Sequence, residues 1–409
     1  LTVDGDEDLL VMEAMVLSDL AHFDLIVPRK IIFGWGRRTA LREELPRLGK
    51  RVLVISGSRT LEKAGLFDEL QQLVMEGGLD WQIVARIHSE PTVTEVDHVS
   101  DAVRALGVRQ GDIILAVGGG SAIDLAKAVA AMVTQDARAP IRDYLENIGR
   151  NLKLIQPALP VVAVPTTAGT GAEATRNAVI CSHDPPVKKS LRDDRIMPYL
   201  AVVDPELTVS NSRAITAAAG MDAITQLIES YVSVRRRPIP QILAPQALRI
   251  AFQCLPNAFT NPMDRTAREG MAFAALISGI CLANSGLGMA HGVAAALGAL
   301  GEVPHGIACA VMLPVALQVN RSVCPSELAY LARIAFDQKF ANDEEAIDYL
   351  ISEVRNLQAK LEIPDRLSKL GIHRELIPAI VNESRGSSMS GNPKQLKDDE
   401  LMEVLEQIL

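Results

Sequence analysis

The feature that most restricts the fold is a strand that closes on three glycines and opens at once into a helix. Residues 113–117 are continuously apolar, Gly118, Gly119 and Gly120 follow, and residues 121–133 carry helical periodicity. A strand apolar at every position has both faces buried, which is the signature of a parallel sheet rather than a half-solvated antiparallel one. The unit repeats. Residues 51–56 form a buried strand ending in Gly57, with a helical pattern over 61–76. Strand patterns recur at 81–85, 161–164 and 201–203, and a further helix is expected over 95–106. This alternation predicts a mainly parallel sheet covered on both faces. After about Asp204 the strand signals fade into Ala- and Leu-rich helical patterns, punctuated by prolines at 256, 262, 314, 325 and 364. With 409 residues, two domains are expected. We expect an extension over 1–22, an α/β domain over 23–204 and an all-helical domain over 205–409. Ser387 to Gly391 reads as an exposed loop before the last helix.

The glycines also carry chemistry. Successive glycines let the backbone approach a bulky anion, and the following helix N-terminus adds partial positive charge. The segment is neither GxGxxG nor a P-loop, because Lys127 comes too late. A competing reading makes Ser121 an N-cap and Asp124 its capping-box partner, but a cap alone does not call for three glycines. A second polar run, Thr166, Thr167, Gly169, Thr170 and Gly171, follows the strand at 161–164. It suits ligand contact at a sheet crevice, and equally an ordinary threonine-capped loop. In the second half, Asp222 and Gln226 lie four apart on one helical face, and His291 and His305 stand on separate segments. Pro304 marks a helix start beside His305. One carboxylate and two imidazoles suit Fe²⁺ or Zn²⁺, with Gln226 a weak additional oxygen donor or none. His22, His88, His98, His183 and His373 read as ordinary hydrogen-bonded residues.

Composition excludes several classes. The net charge of −9 argues against nucleic acid as a partner. Five cysteines, at 181, 254, 281, 309 and 324, show no CxxC spacing and read as reduced thiols, pointing to the cytoplasm. The first residues are acidic, with no basic region of a signal peptide. Residues 270–301 lack Asp, Glu, Lys and Arg, but glycines and Ser285 break the run, so buried helices are expected rather than a membrane span.

Together these motifs resemble the iron-containing (group III) alcohol dehydrogenase family, from about residue 23 onward. Residues 33–36 and 204–207 carry the same likeness. The resemblance implies an N-terminal dinucleotide-binding α/β domain and an all-α C-terminal domain, the dehydroquinate synthase-like fold. NAD or NADP and a divalent metal would meet between them, acting on a small alcohol or carbonyl substrate, commonly in a homodimer. By position, Gly119, Gly120, Ser121 and Asp124 would hold the pyrophosphate, and Thr166, Thr167 and Thr170 would line the nicotinamide. Asn177 and Lys188 would lie near its ribose, and Asp222, His291 and His305 would ligate metal and serve catalysis.

Three departures stand out. Gln226 replaces a ligand histidine, so the metal can be weakly held or absent. Ala295 replaces a histidine thought to relay protons. Gly57 stands where NAD-preferring members carry Asp, which removes a repulsion against the 2′-phosphate of NADP, and Arg59 could pair with that phosphate. The expected activity is NAD(P)-dependent alcohol dehydrogenation. The alternatives are a metal-free carbonyl reductase like the maleylacetate reductases, and a lyase like dehydroquinate synthase, for which Lys188, Lys189, Arg192 and Arg195 could form a basic pocket. A non-catalytic nucleotide binder is a third class.

Overall fold

The computed structural model describes residues 22–57 and 60–409, so the expected extension falls almost wholly outside the described residues, as does Arg59. The strands are β1 (Lys30–Phe33), β2 (Arg51–Ser56), β3 (Asp80–Arg86), β4 (Asp112–Gly118), β5 (Val161–Pro165), β6 (Asn177–His183), β7 (Pro186–Arg192) and β8 (Leu200–Val203). Six of them form one sheet in the order β1-β8-β5-β4-β2-β3, with every pairing parallel. Alternation along the strands explains the two covered faces. Leu53, Ile55, Ile114, Ala116, Val161 and Ala163 enter one core, while Val52, Val54, Ile113, Leu115, Val162 and Val164 enter the other. Each of the larger side chains buried this way contributes about 1.5–3 kcal/mol of transfer free energy.

The helices of the first lobe are α1 (Leu41–Leu48), α2 (Leu66–Glu76), α3 (Val93–Ala105) and α4 (Gly120–Met132). The helix expected over 61–76 is interrupted: a single turn, Thr60–Lys63, ends before Gly65, whose φ of 72° cannot continue a right-handed helix. Three strands escaped the sequence reading. β1 has only four residues, and β6 and β7 form a separate antiparallel hairpin with polar, half-buried faces.

Beyond β8 the described residues form helices only: α5 (Arg213–Val232), α6 (Pro238–Thr260), α7 (Arg265–Ser285), α8 (Met289–Gly301), α9 (His305–Asn320), α10 (Pro325–Phe336), α11 (Asp343–Lys360), α12 (Ile377–Glu383) and α13 (Asp398–Glu406), with short 3₁₀ turns between them. The fold is thus a parallel α/β lobe followed by an all-α lobe. Asp204 ties their junction. Its carboxylate accepts from the backbone of Gly36 (2.9 Å) and Arg38 (3.1 Å), from the buried guanidinium of Arg38 (2.9 Å) and from Glu206 N (3.1 Å). The two small motifs at 33–36 and 204–207 therefore form one structural joint. Helix α7 is long and apolar enough to cross a membrane, but 72% of its most apolar window is buried inside the protein. The charge-free run breaks where expected, between Ser285 and Met289. Residues 387–391 are not a fully exposed loop: Met389 is buried in the helical core, and Ser387 and Ser388 line a cavity.

Candidate active site

Helix α5 is buried continuously from Gly220 to Val232. On it Asp222, Gln226 and Glu229 follow at steps of four and three, so they form one stripe. The first turns of α8 and α9 aim His291 and His305 at that stripe. His291 Nε2 lies 3.2 Å from Asp222 Oδ1, and His305 Nε2 lies 3.7 Å from the same oxygen. Glu229 accepts from Ala290 N (2.7 Å) and sits 2.7 Å from His291 Nδ1.

This last contact decides what the cluster can bind. An imidazole that donates its Nδ1 proton to Glu229 turns the Nε2 lone pair toward the Asp222 carboxylate. Two electron-rich atoms 3.2 Å apart in a buried site call for a cation between them, either a proton or a metal. Burial opposes protonation of His291, yet Cys309, Asp222 and Glu229 together raise it well above an ordinary imidazole. Burial likewise raises Asp222, but the facing histidines hold it below its ordinary value. Burial, and after it the ammonium of Lys188, pushes His305 down to about 4, leaving a neutral ring with one nitrogen lone pair to offer. His305 Nδ1 is buried without a partner among the described residues. Asp222, His291, His305 and Cys309 offer donor atoms that all lie within 4.8 Å of one another. The residues present therefore fit a divalent ion.

The cluster borders a cavity of about 640 Å³ between the two lobes. Gln226, His291 and His305 line it from the helical side, and Gly120, Ser121, Asp124 and Thr170 from the sheet side. The capping-box reading fails: the residue before the helix is Gly119, with no side-chain cap, while Asp124 reaches across to accept from Val179 N (3.0 Å). The glycines serve close approach. A Cβ at Gly120 would lie 2.7 Å from Thr170 Oγ1, and one at Gly119 3.2 Å from Thr167 Oγ1. Gly57, Gly119, Thr166 and Thr167 support this corner without lining the cavity. Below it, fully buried Lys127 donates to Thr175 Oγ1 (2.8 Å) and to Asn177 O (3.0 Å), which fixes hairpin β6–β7 against α4. Burial lowers Lys127 to about 8 and raises Asp124 to about 6. Asp124 Oδ1, buried, paired with Lys127 Nζ at 3.8 Å and without a hydrogen-bond partner among the described residues, borders a site that the hairpin closes with Asn177 and Lys188.

The basic cluster that a lyase would use as its pocket is taken up by ion pairs: Lys188 with Glu90, Lys189 with Glu383 (3.7 Å), Arg192 with Glu146 (2.8 Å) and Arg195 with Asp193 (2.9 Å). Sequence reasoning assigned no role to Glu229 or Cys309. Their spacing could have found them, since Glu229 extends the Asp222–Gln226 stripe and Cys309 lies one turn beyond His305. Glu229→Gln should keep the side-chain volume and remove the charge that orients His291. We expect metal affinity to fall about 10–100-fold, measured by chelator competition. An unchanged affinity would mean that α8 alone orients the ring.

Known proteins share this architecture. Residues 28–205 match the family described as iron-containing alcohol dehydrogenase, and residues 216–409 its C-terminal part. The NADPH-dependent butanol dehydrogenase of Clostridium saccharobutylicum is 31% identical over 390 residues, spanning 93% of this chain and 96% of the relative. The NAD-dependent methanol dehydrogenase of Bacillus methanolicus is 29% identical over 388 residues, spanning 94% and 100%. The crystal structure of a 1,3-propanediol oxidoreductase superposes with a TM-score of 0.88 at 30% identity, covering 95% of this chain and all of the other. The chain belongs to the iron-containing alcohol dehydrogenase family, NAD(P)-dependent oxidoreductases that use a divalent metal to interconvert alcohols and their carbonyl counterparts.

Proposed function

We propose that hydride transfer takes place in the cavity between the lobes, with Asp222, His291 and His305 holding the metal and the start of α4 holding the dinucleotide. One observation carries this reading: three donors converge on one face of a cavity whose opposite face carries the glycine-rich helix start. When bound, the metal supplies Lewis acidity to a substrate oxygen and the nicotinamide supplies the hydride carrier. The chain's own residues do the rest. Backbone N–H groups at Gly120 and Ser121 face the pyrophosphate, Gly119 and Thr167 shape that turn, and Thr166 and Thr170 flank the nicotinamide side. Asn177 and Lys188 close over its ribose, and Asp124 keeps an acceptor for a hydroxyl. Gln226, whose Oε1 accepts from Ser278 Oγ (2.8 Å), lines the cavity, where its amide N–H groups would donate to the substrate oxygen. Ala295 offers no relay, so the proton leaves by water or the ribose hydroxyls.

We divide the chain at about residue 204, with 23–204 as the dinucleotide domain and 205–409 as the metal and substrate domain. Among the described residues strand β1 ends the sheet with one edge unpaired, which favours a homodimer. All five thiols are free, which accords with the cytoplasm.

The test is oxidation of NADH and of NADPH by a panel of aldehydes and ketones. Gly57 presents no carboxylate to a 2′-phosphate, so NADPH should serve at least comparably. Chelation should lower turnover at least tenfold, reversed by added divalent ion. Turnover that survives complete demetallation would favour the metal-free carbonyl reductase, and failure to bind either nucleotide would remove the proposal.

A further inference from the structure

The fourth donor of the cluster is a thiol. We propose that Cys309, and not Gln226, completes the metal site and biases it toward zinc over iron. The inference rests on the assignment of Asp222, His291 and His305 as ligands.

Cys309 follows His305 by four residues on α9, so both side chains leave the same face of the helix. Its Sγ lies 3.7 Å from His305 Nε2. Together with the 3.2 Å and 3.7 Å separations of the two imidazoles from Asp222 Oδ1, this gives a set of short donor–donor distances. Tetrahedral zinc, with Zn–N near 2.0 Å and Zn–S near 2.3 Å, separates neighbouring donors by roughly 3.3–3.6 Å. All four donor atoms lie within 4.8 Å of one another, so closing on one ion takes side-chain shifts of about an ångström at the widest separation. Cys309 is fully buried and does not line the cavity, whereas His291 and His305 do. The thiol thus closes the back of the site and leaves the cavity side for substrate.

Gln226 is placed differently. Its amide oxygen is tied to Ser278 on α7, whose hydroxyl also lies 2.8 Å from Ala275 O. An amide oxygen committed to a hydroxyl on another helix is a weaker donor than a sulfur that already faces His305 within the cluster, although burial pushes the Cys309 thiol up and the ion must displace its proton. Coordination exchanges the S–H bond of Cys309 for an S–metal bond, and the proton passes to water. One thiolate, two imidazoles and one carboxylate form a mixed set in which sulfur favours Zn²⁺, and Zn²⁺ already exceeds Fe²⁺ in the general order of affinities.

The full-length protein, stripped by chelator and reloaded with Co²⁺, tests this directly. We expect about one cobalt per chain and a near-ultraviolet sulfur-to-cobalt charge-transfer band. Cys309→Ser should abolish the band and weaken Zn²⁺ binding at least tenfold. Gln226→Ala should keep both the band and the metal, and Zn²⁺ should displace Fe²⁺ from the wild-type protein at equal concentration. A cobalt-loaded wild type without the band, Cys309→Ser binding Zn²⁺ as tightly as wild type, or loss of metal from Gln226→Ala alone would each overturn the proposal. If Cys309→Ser fails to fold by circular dichroism, the wild-type cobalt spectrum decides. Turnover of NAD(P)H separates this from the functional assignment. An active cobalt enzyme without the band removes Cys309 and leaves the dehydrogenase. An inactive protein with the band keeps the site and removes the activity.

Discussion

Asp222→Asn is expected to lower kcat/KM about a thousandfold, equivalent to about 4 kcal/mol of transition-state stabilisation, while the protein still folds. Asn keeps the shape of Asp222 but lacks its charge, and Asp222 is where the cluster's negative charge is centred. It is 2% exposed, both histidines face its Oδ1, and they hold it ionised despite burial. With a neutral amide there, the remaining donors bring one charge fewer to a divalent ion, and the amide N–H₂ can turn toward the histidines and oppose it. Metal content by elemental analysis should fall together with activity. The demetallated variant should melt several degrees below demetallated wild type, because Asp222, held below its ordinary value by the facing histidines, stabilises the fold as an anion and its loss leaves His291 without that partner. A variant that keeps its metal and loses less than tenfold in kcat/KM would show that Asp222 serves packing and that the true ligands lie elsewhere.

What could be read from the sequence follows what chemistry leaves in local pattern. Strands β2, β4 and β5 were legible because both their faces are buried, so every residue is apolar. The hairpin β6–β7 was not, because one face meets the cavity and the other meets α4, and the resulting polar mixture resembles a loop. Asp222, His291 and His305 stood out as isolated polar residues in apolar helices. Their convergence could not be read from local pattern, since α5, α8 and α9 meet only in the tertiary fold. Glu229 shows the limit most clearly. It is a buried carboxylate whose meaning depends on a histidine 62 positions away. Gln226 was visible as a departure, yet its direction is set by Ser278, 52 positions away on another helix. The glycines that follow His291 and His305, Gly292 and Gly306, show no purpose in local pattern, and the packing supplies one.

That reason leads to the second large effect, on Gly306→Ala. Helix α9 begins at His305 and lies directly on α5. A Cβ at Gly306 would fall 2.3 Å from Ala218 O and 2.7 Å from Ala218 C. Both are backbone atoms of a buried helix, so no rotamer change relieves the clash, and α9 must retreat from α5. The retreat carries His305 away from Asp222, which now lies 3.7 Å from its Nε2, and takes Cys309 with it. Gly292 plays the matching part for His291, where a Cβ would lie 3.0 Å from that of Met389. Displacement of about 1 Å in a catalytic group can cost about a hundredfold in rate, and overpacking costs about 1–3 kcal/mol of stability. We therefore expect Gly306→Ala to lose activity about a hundredfold, to bind metal more weakly and to melt several degrees lower. Gly298→Ala, inside α8, is the control. Its Cβ would meet nothing closer than 3.6 Å, so helix propensity should leave it as stable as wild type or slightly more so. If Gly306→Ala retained full metal content and activity, α9 would have to be mobile enough to absorb a methyl group without moving His305, and close helix contact would not be what positions the site.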